Sequence, residues 1–117
     1  MKILKKQLRL EEHKYFTTHL EIVNSVLPIK LTPKEIEILA IFMSFTGELG
    51  EDRFNTMGKK IVRGKMGLSH PGLGNYIKAL QKKGFLRKEK NGKLKILEIL
   101  FPEIEEQYYQ FKIINIG

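Results

Sequence analysis

The chain has 117 residues, 42% apolar and 29% charged, with no cysteine. That length suits one core, because two cores of roughly 60 residues would each be marginal. The composition excludes extensive disorder, a disulfide scaffold and a thiolate metal site. No run approaches the roughly 18 apolar residues of a membrane span, and the first residues lack the apolar stretch of a leader peptide, so a soluble cytoplasmic protein is expected.

The net charge of +8 is unevenly placed. Residues 1–55 balance, with eight bases and eight acids, and residues 96–117 carry one base and four acids. Residues 56–95 carry twelve bases against one acid, Glu89. A segment this one-sided repels itself unless screened, and a localised basic footprint suits a polyanion such as nucleic acid. The plainer reading of the same charges is a solvated face.

In chain order, residues 2–10 alternate loosely and read as a short strand. From Glu11 the period becomes helical, with Phe16, Leu20, Val23 and Leu27 on one stripe up to Pro28. Thr32-Pro33-Lys34-Glu35 has the form of a capped helix start, with Thr at the cap, Pro in the first turn and Glu three residues on. The helix from Ile36 to Phe45 is apolar almost all round and is predicted to be the centre of the core. Residues 47–55 read as a loop or short extended connection.

Met57 to Met66 reads as a short helix with Ile61 and Val62 inward and Lys59, Lys60 and Arg63 outward. Gly67-Leu68-Ser69 then supplies a left-handed cap, an apolar plug and the cap of the next helix, a turn of helix-turn-helix kind. That next helix, from His70 to Lys83, buries Leu73, Ile77 and Leu80. At about 100° per residue, this turns Asn75, Lys78 and Lys82 outward together. After Gly84 the period drops to two on either side of Asn91-Gly92, which predicts a hairpin with a type I′ turn carrying Lys88, Lys90, Lys93 and Lys95. Beyond Pro102 an acidic run leads into residues 108–116, read as a last strand that could pair with residues 2–10 or with a second copy, giving a homodimer or larger assembly.

Helix, helix, short turn, helix and basic hairpin, with Leu68-Ser69, Leu73, Asn75-Tyr76-Ile77, Leu80 and Lys83-Gly84-Phe85-Leu86 in these places, resembles the winged helix-turn-helix family over residues 32–100. The resemblance implies an α+β fold with a three-helix core, an N-terminal helix and a two-stranded wing, in one domain of 1–117 with an N-terminal extension (1–31) and a C-terminal tail (101–117). It implies duplex DNA as the partner, with Asn75, Lys78 and Lys82 facing the major groove. Ser69 and His70 would lie near a phosphate at the helix N-terminus, and Lys90, Lys93 and Lys95 on backbone or minor groove. With Lys59, Lys60 and Arg63 this is the expected DNA-binding set. Gly72 and Gly74 depart from a base-reading helix: each costs up to about 1 kcal/mol relative to Ala and offers no side chain to a base. Either the backbone closely approaches something there, or the helix does not read bases.

No enzyme, cofactor or metal is expected. Gly58-Lys59 fails as a phosphate loop because Arg53 and Lys60 stand where Gly and Ser or Thr belong. Gly72-Leu73-Gly74 lacks the third glycine of a dinucleotide fingerprint. His13, His19 and His70 read as structural or surface residues, Glu103, Glu105 and Glu106 as a solvated run, and Tyr108, Tyr109 and Phe111 as packing residues. Two functions remain: a DNA-binding regulator or replication accessory factor, or a winged-helix assembly module such as a phage structural or nucleoprotein component. The Lys- and Ile-rich usage points to a bacterial or phage source.

Overall fold

The computed structural model describes residues 3–117. Three of its helices start where a side chain takes up a free N–H of the first turn. At Thr32, Oγ1 accepts from the Glu35 N–H at 3.2 Å while the Glu35 carboxylate accepts from the Thr32 N–H at 2.8 Å, so the predicted capping box is closed. Asn55 Oδ1 accepts from the Gly58 N–H at 2.7 Å and Ser69 Oγ from the Gly72 N–H at 3.0 Å.

The elements are α1 (Glu12–Asn24), α2 (Pro33–Met43), α3 (Gly47–Glu51), α4 (Thr56–Met66), α5 (His70–Lys82), β1 (Leu86–Lys88) and β2 (Leu94–Ile96), followed by a 3-10 turn over Glu98–Leu100. The chain is therefore a small α+β domain, and none of its described helices is long and apolar enough to cross a membrane. As its pattern requires, α2 is buried on nearly every side, and Phe42 stacks on Phe54 with ring centroids 4.2 Å apart. Val62 of α4, Leu73, Ile77 and Leu80 of α5, and Leu86 and Ile96 of the hairpin close round it. Burying each such side chain contributes about 1.5–3 kcal/mol. Leu20 of α1 is also wholly buried and α1 lies on α2, so the core extends beyond residues 32–100 into the N-terminal segment.

Four expectations are corrected. Residues 47–55 are not simply a loop or extended connection. Gly47–Glu51 forms the one-turn helix α3, and Phe54 is buried after it. Arg53 fixes this connection by donating from Nη1 to the Phe42, Met43 and Phe45 carbonyls at 2.7, 3.0 and 2.8 Å, satisfying the open C-terminal end of α2 with a cation.

The hairpin is present, but its turn is not type I′. Asn91 has no positive φ, Gly92 has φ +84°, and Glu89 both accepts from the Gly92 N–H (2.9 Å) and donates to the Lys93 carbonyl (2.8 Å). This is a three-residue loop, a type I turn closed by a left-handed glycine. It pairs Leu86 with Ile96, Arg87 with Lys95 and Lys88 with Leu94. A two-residue loop would slide the strands by one position, whereas this register keeps Leu86 and Ile96 opposite each other on the core side. The second arm also ends earlier than the alternation suggested, giving way to the turn at Glu98–Leu100.

The third and fourth corrections concern the ends. Neither the described residues 3–10 nor residues 101–117 form a strand, and the only sheet among the described residues is the β1–β2 pair; Lys2 lies outside the described residues. The start of the tail lies along α1 instead. Tyr15 Oη donates to the Glu103 carbonyl at 2.7 Å, and Tyr109 Oη meets His19 Nδ1 at 2.5 Å. Of the three aromatics expected to pack, only Tyr109 makes such a contact, while Tyr108 and Phe111 are 82% and 63% exposed.

Candidate nucleic-acid interface

The eleven sequence-predicted residues lie on α4, the turn after it, α5 and the hairpin, and none is buried in the core. On α4, Lys60 is exposed while Lys59 and Arg63 are half-buried, and Arg63 Nε is covered without a hydrogen-bond partner. Gly67 takes the left-handed conformation (φ +64°) that ends α4, and Leu68 packs against the core, as its place between two helices suggested. Ser69 is the N-cap of α5, so one lone pair of its hydroxyl is committed to the Gly72 N–H. His70 beside it is exposed.

On α5 the division of faces follows the spacing. Leu73, Ile77 and Leu80 are buried, Tyr76 is half-buried, and Asn75, Lys78 and Lys82 are exposed together on the other side. Lys90 and Lys93 stand at the hairpin tip and Lys95 on its second strand, all exposed. Among the described residues, Lys93 alone of the eleven approaches a carboxylate, Asp52 at 3.8 Å. The other cations of the set have no ion-pair partner. Lys83 is removed from the basic surface, since its ammonium lies 2.6 Å from the buried Glu35 carboxylate and donates to the Lys30 carbonyl at 3.0 Å.

The register adds a residue that sequence reasoning left out. Arg87 stands directly across from Lys95, both exposed and neither within ion-pair distance of an acid. Directly opposed like charges destabilise a strand pair, and an anion bound between them would relieve that. The missing signal was the loop length, which decides cross-strand partners. Arg53, by contrast, is a cation spent on structure: its charge faces helix carbonyls and the Phe101 ring at 5.1 Å, and burial lowers its pKa. A groove between α3 and the hairpin mixes Arg87 and Lys95 with Glu51, Glu89 and Glu98, a lining with no single sign of charge.

Comparison with known proteins found no matching family model, no matching curated protein and no matching solved structure. The functional reading therefore rests on the chain itself.

Proposed function

We propose that the chain binds duplex DNA as a small winged helix-turn-helix domain, with α5 in the major groove and the β1–β2 hairpin as the wing. The observation that carries this reading is the coincidence of two independent features. The twelve-to-one basic segment, residues 56–95, falls on α4, the three-residue turn, α5 and the hairpin, and most of its cations have no acidic partner within the described chain. Unpaired cations on one stretch of surface release counterions when they meet phosphates, which makes binding favourable and salt-dependent. Asn75 can hydrogen-bond an adenine edge, and Lys78 and Lys82 can reach guanine or phosphate. Lys59, Lys60 and Arg63 flank the groove, the α5 N-terminus with Ser69 and His70 meets a phosphate, and Arg87, Lys90, Lys93 and Lys95 hold the backbone beside the wing. Transcriptional regulation or a replication accessory role is the setting that fits.

Two sets of variants test the division of labour. Replacing Lys90, Lys93 and Lys95 with Ala is expected to flatten the salt dependence of binding to any duplex by roughly 0.9 per lost phosphate contact. Replacing Asn75 with Ala is expected to leave that slope alone and to weaken only a selected preferred site. An unchanged slope in the first variant removes the wing from the interface.

A further inference from the structure

The two ends of the chain carry most of the exposed large apolar side chains, and they carry opposite charge. Residues 3–10 contain Lys5, Lys6 and Arg9 and no acid, with Ile3, Leu4 and Leu8 at 69%, 96% and 56% exposure. The tail contains Glu103, Glu105 and Glu106 and no base before Lys112, with Ile104 and Tyr108 at 94% and 82% exposure. The radius of gyration is 15.9 Å, against roughly 13 Å for a compact chain of this length, as projecting ends would give.

We propose that the chain forms a two-fold homodimer in which residues 4–9 of each copy pair as an antiparallel strand with residues 103–108 of the other. One register matches the two segments throughout. It sets Leu4 against Tyr108, Lys6 against Glu106 and Leu8 against Ile104 on one face, with Arg9 against Glu103 on the other, and no like charges oppose. Within one chain the two segments are not paired. The tail runs over α1 in the direction of the helix, from Tyr15 at Glu103 to His19 at Tyr109. An antiparallel partner must therefore run against α1, and within one chain only Leu10 and Glu11, the latter extended (φ −66°, ψ 158°), lie between Arg9 and the helix. Two residues are the shortest connection that strand-to-helix reversals use, and with Glu11 extended they do not make that turn here. A second copy supplies the strand without any turn, and a two-fold axis makes the exchange reciprocal, so that both ends of both copies are covered. The inference does not depend on DNA binding.

Sedimentation velocity of the full chain without DNA, over a concentration series at low salt, tests it with two charge-reversed variants, K6E/R9E and E103K/E106K. The substituted side chains sit on exposed residues outside the core, so circular dichroism is expected to be unchanged. Wild type is expected to move toward twice the 13.6 kDa chain mass as concentration rises. Each variant alone faces like charges and is expected to weaken the dimer on the order of tenfold or more. An equal mixture of the two variants restores both complementary pairings and is expected to recover the dimer. A wild type that stays monomeric, a dimer indifferent to both variants, or a mixture that stays monomeric overturns the proposal. Because DNA is absent, none of these results bears on the nucleic-acid reading.

Discussion

At Glu35 one carboxylate closes the cap of α2 and holds the Lys83 ammonium across to the end of α5. Burial pushes its carboxyl up, but hydrogen bonds from Lys83 and from the Thr32 backbone, with the Lys83 charge, outweigh it and hold the pKa below the ordinary 4.5. A folded-state pKa below the unfolded one stabilises the fold above the unfolded value, and that contribution is lost as pH falls through the folded pKa. Lys83→Met leaves the carboxylate buried with less compensation. At pH 7 it is expected to cost roughly 1–3 kcal/mol in urea denaturation, allowing for the partial exposure of the ammonium, and the deficit is expected to shrink toward pH 4 as the carboxyl is protonated. A deficit independent of pH would mean that Lys83 acts through packing. His19 shifts in the same direction for a different reason. Burial lowers its pKa below the usual 6.5, with the Leu100 backbone pulling the other way. Burial also raises the pKa of the Tyr109 hydroxyl, which shares a hydrogen bond with Nδ1. Folding therefore favours the neutral imidazole, and stability is expected to decline as pH drops below about 6.5. His19→Gln is expected to flatten the stability profile between pH 7.5 and 5.5. An unaltered profile would remove His19 as its source.

Three helical glycines sort by what a Cβ would meet. At Gly58 it would lie 2.0 Å from the Arg53 carbonyl oxygen, so the close approach of α4 to the connection before it requires glycine, and Gly58→Ala is expected to cost roughly 1–3 kcal/mol. At Gly64 and Gly74 a Cβ meets nothing within 4 Å and φ is ordinary. Gly64→Ala and Gly74→Ala are each expected to raise stability by about 0.5–1 kcal/mol, measured by thermal or urea denaturation. If either also weakens DNA binding, its glycine serves a close external approach; a stabilised protein with unchanged binding shows that it does not.

The same locality explains what the sequence revealed. The Thr32 box, the Gly67 cap and the Ser69 cap were legible because each is settled within three or four residues. Hairpin existence was legible for the same reason, but its register hung on whether Asn91 or Gly92 alone took positive φ, which Asn-Gly by itself does not determine. Helix α3 carried no legible start, since Thr46 makes no capping hydrogen bond and the helix is only five residues long. The terminal strands failed as expectations for one chain because alternation reports fitness for pairing and says nothing about where an edge is found.

Over the whole molecule, the eight cations among the eleven proposed DNA contacts were legible as a charge excess, and the exposed or half-buried placement of those on α4 and α5 follows from the apolar stripes that orient the two helices. Arg53 and Lys83 were not separable from the other bases by sequence, because their partners are the α2 carbonyls and a buried carboxylate eight to forty-eight residues away. The opposition of Arg87 and Lys95 likewise needed the register. The central claim is that the remaining unpaired cations form one phosphate-binding surface. The direct measurement is fluorescence anisotropy of a labelled random duplex titrated with the protein across a salt series. The expected result is micromolar binding at low salt, with log K falling against log salt at a slope between about −4.5 and −6, at roughly 0.9 per neutralised phosphate. No binding at low salt, or binding with a slope near zero, would contradict it.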